Sequence, residues 1–127
     1  MRRRRPIRRK NESKTFLYLQ ELLPQATIDR EVVIREPIYG PKGRLVRHFI
    51  MVDFRFFVNG KETYCEFNGT QHYRSAKRFG GKKALIDQKI RDEWLRKYCV
   101  EKGITLIELD GRVLRGKKIR AYLESIL

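Results

Sequence analysis

The sequence predicts an α/β fold in which a mixed sheet is flanked by helices. Three observations predict it. Over residues 50–58 every second side chain is apolar, Ile50, Val52, Phe54, Phe56 and Val58, the period of a strand with one apolar face and one more polar one. Asn59-Gly60 then marks a two-residue hairpin turn, so residues 61–67 should return antiparallel. Residues 83–102 carry apolar side chains at helical spacing and run into Gly103 and a short apolar stretch, 104–109. The whole order reads α-β-β-β-α-β-α with no internal repeat, which suits a layered sheet with helices packed on it.

Each element has its own signal. Residues 1–12 form a basic arm that should be disordered without nucleic acid. It carries Arg2, Arg3, Arg4, Arg5, Arg8, Arg9 and Lys10, charges that repel one another, with Pro6 among them. Residues 13–127 should form a single domain. Asn11 or Ser13 can cap a first helix, Phe16, Leu19, Leu22 and Leu23 recur at helical spacing, and Pro24 stops it. Residues 30–36 read as a strand, and Pro37, Gly40, Pro41 and Gly43 mark a loop.

The strand over 45–58 places Ile50, Val52, Phe54, Phe56 and Val58 on one face and Asp53 on the other. On the return strand Thr63, Cys65 and Phe67 share the apolar face, while Glu62, Tyr64 and Glu66 share that of Asp53. Residues 68–83 read as a loop rich in Gly, Lys and Arg. The long helix has one stripe of Ile86, Ile90, Trp94 and Tyr98 and a second of Leu85, Leu95 and Cys99, within which Asp92 falls. A last helix covers roughly 117–127.

Composition bounds the function. The chain has 127 residues, with 30 Lys and Arg against 15 Asp and Glu, a formal charge of +15. Such an excess calls for a polyanion: nucleic acid first, an anionic membrane surface second. No apolar run approaches the ~20 residues needed to span a bilayer. The basic N-terminus has no apolar stretch behind it and is not read as a secretory signal. Cys65 and Cys99 match no zinc spacing and are expected as core thiols.

The hairpin carries the candidate chemistry. With Asn59 and Gly60 as the loop, Val58 pairs with Lys61 and the register places Asp53 opposite Glu66. Two carboxylates so placed lie roughly 5 Å apart at Cβ and repel. A shared divalent cation would remove the penalty; an ordinary salt network through Arg55 and nearby lysines is the alternative. Asp53 and Glu66 are thus candidate Mg²⁺ ligands, with the carbonyl of Phe67 as a further oxygen. Glu21 would complete the shell if the first helix packs at the sheet edge. Gln71 and His72 follow Gly69, and His72 can act as a general base or acid, orient water or ligate metal. The alternative for His72 is a hydrogen bond within its loop. The basic stretch Arg74, Lys77, Arg78, Lys82 and Lys83, with Tyr73 and Phe79 interleaved, is a candidate phosphate clamp; its alternative is a solvated loop.

The ordered set of these pieces resembles a known family. Val52-Asp53-Phe54, then Cys65-Glu66-Phe67-Asn68-Gly69-Thr70-Gln71-His72-Tyr73, then Asp92, Tyr98-Cys99 and Gly103-Ile104-Thr105-Leu106-Ile107 look like the core of the PD-(D/E)XK nuclease superfamily. The similarity is to its small branch of very-short-patch-repair-like, phage and homing endonucleases, and it covers roughly residues 13–110. The resemblance implies a restriction-endonuclease-like α-β-β-β-α-β core, Mg²⁺ dependence with Mn²⁺ as substitute, and cleavage of DNA. Carried over by position, Asp53 and Glu66 would ligate metal, and Glu21 would be the acid of the first helix. Gln71 and His72 would stand near the scissile phosphate, and Asp92 would be an accessory acid. The chain departs from the pattern at Asn68, where a Lys is usual, and at Leu95, where a Lys is common; Gln71 or Lys77 would take the role of the first.

The expected function is therefore a Mg²⁺-dependent DNA endonuclease, either structure-specific in the manner of a junction resolvase or a site-specific nickase or homing-type enzyme. No small-molecule cofactor and no membrane partner are expected. The small size leaves little room for a separate sequence-reading domain, which favours structure-specific cutting or a homodimer. Its place would be the cytoplasm of a bacterial or phage-infected cell, or wherever the DNA is. A non-catalytic DNA- or RNA-binding protein is the alternative.

Overall fold

A computed structural model of the chain describes residues 7–69 and 81–127, with side chains from Lys10 onward. The protein is mixed α/β. The described residues form α1 (Ile7–Leu22), β1 (Asp29–Ile34), β2 (Ile38–Tyr39), β3 (Leu45–Arg47), β4 (Ile50–Val58), β5 (Lys61–Asn68), α2 (Gly81–Lys102), β6 (Thr105–Asp110) and α3 (Lys117–Ile126). Four strands make a sheet in the order β1-β4-β5-β6, and β2 pairs with β3 in a separate ribbon. The β1–β4 and β4–β5 junctions are antiparallel, and β5–β6 is parallel, as the long α2 crossover requires.

The core lies on both faces of the sheet. Tyr64 and Cys65, neighbours in β5, point to opposite faces and belong to different clusters. Cys65 packs with Phe54, Phe56, Phe67, Ile107 and Leu109 against Leu19 of α1 and Ile119 and Leu123 of α3. Tyr64 packs with Ile34, Ile38, Ile50 and Val52 against Leu95 and Cys99 of α2. Both cysteines are free thiols and buried.

Three features differ from the sequence expectation. The first helix starts at Ile7, so Asn11 is an interior residue, buried, whose carbonyl accepts from Thr15 Oγ1 at 2.7 Å. A proline just before Ile7 is compatible with a helix start. The run 45–58 is two strands, not one, and its first piece pairs with β2 inside the expected loop. The alternating apolar residues of β4 do not line one core: Ile50 and Val52 join the α2 cluster, Phe54 and Phe56 the other. The division falls at Asp53.

Candidate acidic site on the sheet

The β4–β5 turn has the conformation that Asn-Gly favours. Asn59 (φ 51) and Gly60 (φ 79) are both left-handed, as in a type I′ turn. The ladder then runs from Val58↔Lys61 to Phe54↔Cys65. The ladder ends there, one residue short of the expected pair Asp53 and Glu66. Asp53 Oδ2 accepts a hydrogen bond from the Phe67 N–H at 2.8 Å.

The acidic line continues across the sheet. Glu66 is in register with Glu108 on β6. On the other side, Glu31 of β1 falls between the pairs Arg30↔Phe54 and Val32↔Val52. Glu31 has φ 51, an uncommon conformation for a non-glycine residue inside a strand. Glu66 and Glu108 thus share one rung of the sheet, with Asp53 and Glu31 on the neighbouring strands.

Arginines from α2 neutralise the middle of this rung. Arg91, buried like Glu66, grips its carboxylate through both terminal nitrogens, Nη1 to Oε2 at 2.8 Å and Nη2 to Oε1 at 2.5 Å. Arg91 Nη1 also donates to Asp92 Oδ1 at 3.1 Å and Nη2 to the Met51 carbonyl at 2.8 Å. Asp92 accepts in addition from Gln88 Nε2 at 2.9 Å. One turn and a half along the helix, Arg96 Nη2 donates to Glu108 Oε1 at 2.8 Å.

These contacts set the protonation of the site. Burial pushes the Glu66 carboxyl up, the Arg91 guanidinium opposes that shift, and the charges of Asp53 and Asp92 add to it. Arg91 stays protonated, because its two carboxylate partners outweigh its own desolvation. Burial also pushes the nearby Tyr64 hydroxyl up to about 12, with Glu62 contributing.

At the carboxyl end of β5, Asn68 is in register with Asp110, and its side chain is fully buried. Asn68 Nδ2 makes a long contact to Glu108 Oε1 at 3.4 Å, while Oδ1 has no hydrogen-bond partner among the described residues. An orphaned buried carbonyl oxygen costs about 1–3 kcal/mol. Asp110 is held below the usual carboxylate range by the side chain of Arg112.

The donor set suits a hard divalent cation. Asp53, Glu66 and the orphaned Asn68 Oδ1 offer only oxygens, the ligand type that Mg²⁺ takes. A carboxylate has about four lone-pair sites, so Glu66 can serve a cation while bound to Arg91. Against this, no three His, Cys, Asp or Glu side chains among the described residues are grouped to hold a metal.

The structure brings Asp53, Glu66 and Asp92 into one charged cluster. On α1 the Glu21 carboxylate pairs with Arg120 Nε of α3 at 3.1 Å. Lys10, Lys82 and Lys83 are exposed. Arg8 and Arg9 are in the first turn of α1, with side chains outside the described residues, as are Arg2, Arg3, Arg4, Arg5, Gln71, His72, Arg74, Lys77 and Arg78 altogether. Arg55, the expected neutralising residue, instead pairs with Glu62 at 2.6 Å and Asp29 at 3.3 Å. Sequence reasoning missed Arg91, Arg96 and Glu108. Neither has a local signature: the arginines lie on a helix rich in cations, and Glu108 is set beside Glu66 by a parallel register.

No helix among the described residues is long and apolar enough to cross a membrane. No protein-family model matches the chain, and no solved structure matches it. The chain is similar to uncharacterized protein 307L of Invertebrate iridescent virus 6, with 41% identity over 63 residues. That match takes in 49% of this chain and 30% of the viral protein.

Proposed function

We propose that this protein is a Mg²⁺-dependent DNA endonuclease whose reaction centre is the Asp53–Glu66 end of the β4–β5 hairpin. The carrying observation is that two carboxylates meet there in a chain of net charge +15. The order of α1, β1, β4, β5, α2 and β6, antiparallel except at the last junction, supports a restriction-endonuclease-like reading. Asp53, Glu66 and Asn68 would hold the cation, which would supply Lewis-acid stabilisation of charge on a phosphoryl group. Arg91 holds the Glu66 carboxylate in a fixed orientation. His72, six residues after Glu66 in sequence, is the proposed proton-transfer group.

The test is incubation with linear, nicked, flapped and four-way DNA, with Mg²⁺, with Mn²⁺ and with neither. Cleavage should need the metal, and Asp53→Asn should abolish it while DNA binding persists. Cutting by Asp53→Asn at the parental rate would sink the proposal.

A second reading has its own observation. Both Glu66 oxygens already accept from Arg91, so the pair is partly neutralised without any metal. On that reading the chain is a non-catalytic DNA- or RNA-binding protein on the same fold, and it binds with strong salt dependence but does not cut.

A further inference from the structure

We infer that the turn between β6 and α3 together with the start of α3, residues 111–118, is a docking surface for the phosphate backbone of DNA. This rests on reading the partner as nucleic acid, and it does not depend on cleavage. The turn carries Arg112 and Arg115, the first residues of α3 are Lys117 and Lys118, and the segment has no acid. Arg112 is tied to Asp110, with Nη2 to Oδ2 at 2.8 Å. No carboxylate among the described residues pairs with Arg115, Lys117 or Lys118, all of which are exposed. Exposed Val113 sits among these cations.

The turn is held rigidly, so its charges are presented at fixed positions. The Gly111 N–H donates to the Asn68 carbonyl at 2.7 Å. A Cβ at position 111 would lie 2.7 Å from that oxygen and 2.8 Å from the Phe67 ring, so the backbone approaches β5 as only glycine allows. The N–H groups of Val113 and Leu114 donate to the Asp110 carbonyl at 3.1 and 2.8 Å. Ile119 and Leu123 anchor the following helix in the core.

The turn also adjoins the acidic rung. The pair Asn68↔Asp110 is two residues beyond Glu66↔Glu108. At about 3.3 Å per residue that is ~7 Å, and DNA phosphates recur every ~3.4 Å of axis on each strand. A strand resting on the turn would thus pass the carboxylates within a few nucleotides. Ile119 and Leu123 of α3 are spent in the core, and the exposed apolar residues Val113, Tyr122 and Ile126 make an anionic membrane the competing ligand that the vesicles in the test address.

The test compares the full chain with Arg115→Gln/Lys118→Gln and, as a charge-matched control, Lys97→Gln/Lys102→Gln on α2. Fluorescence anisotropy with a labelled DNA duplex is read across a salt series, and phosphatidylserine vesicles serve as a second ligand. Each lost phosphate contact should lower the slope of log K against log salt by about 0.9, so the turn variant should lose about 2 and bind roughly 10-fold or more weakly. The control should change much less. Arg115→Glu/Lys118→Glu, checked for an unchanged melting temperature, should weaken binding further. If the turn variants bind like the control, this inference falls and the nucleic-acid reading stands. If the parent binds vesicles but not duplex, both fall.

Discussion

Replacing Arg91 by Met tests the centre of the site. Met keeps much of the apolar stem and removes the guanidinium. The change deletes four hydrogen bonds: two to Glu66, one to Asp92 and one to the Met51 carbonyl. Asp92 keeps Gln88, but Glu66 is left as a buried carboxylate without its counter-ion. Breaking a buried pair in this way costs about 3–5 kcal/mol, a large share of the roughly 5–15 kcal/mol that holds a domain together. The loss should depend on pH. Burial already raises the Glu66 carboxyl, and losing Arg91 raises it further. A carboxyl raised in the folded state binds its proton more tightly there, so the variant should be least impaired below the unfolded value and lose stability as pH rises through the folded one. Urea denaturation of parent and variant at pH 5 and pH 8 measures this. A loss under about 1 kcal/mol at pH 8, or one equal at both pH values, would refute the reasoning. Adding Glu66→Leu to the Met variant should recover much of the loss, since apolar replacement of both partners is often near neutral.

Three other outcomes follow from the packing. Gly111→Ala should destabilise by about 1–3 kcal/mol, because the new methyl meets the Asn68 carbonyl and the Phe67 ring; a melting temperature equal to the parent's would contradict this. Neither thiol should react with a disulfide reagent in the native state at pH 8, because burial pushes Cys65 well up and Cys99 up to about 11, so that reaction should track unfolding. Tyr64, pushed up to about 12, contributes stability that is fully present below its ordinary value near 10 and is lost as pH rises from there. Melting temperatures from pH 9 to 12 should fall in that window, and less steeply in Tyr64→Phe.

The hairpin was legible because its signals are local. Asn59 and Gly60 specify their own backbone conformation, and a period of two fixes which residues face each other once the turn is set. The helix stops were legible for the same reason. What escaped depends on contacts made across distance. Arg91 reads as one more cation on a helix rich in cations until α2 is laid on the sheet. Glu108 meets Glu66 only through a parallel register, which a crossover of more than thirty residues sets without a turn motif. The split of β4 falls at Asp53, where the ladder to β5 ends at Phe54↔Cys65, and the sequence alternation carries no record of that break.

Neighbouring carboxylates call for a positive charge, and Arg91 supplies one at Glu66 without a metal. If a cation had to expel Arg91 to reach Glu66, it would have to offset about 3–5 kcal/mol. A ligand present at 100 times its dissociation constant contributes only about 2.7 kcal/mol to the bound state. Ordinary millimolar Mg²⁺ would then leave the site largely in its arginine-bound form. A working nuclease must therefore keep Arg91 on Glu66 and place the cation on the remaining lone pairs, together with Asp53 and the orphaned Asn68 oxygen. The two readings separate at this point. In a nuclease, Mg²⁺ raises the melting temperature of the parent, and the gain shrinks in Asn68→Ala. In a protein that only binds nucleic acid, Mg²⁺ leaves both unchanged, and the Glu66–Arg91 pair is an internal tie between sheet and helix.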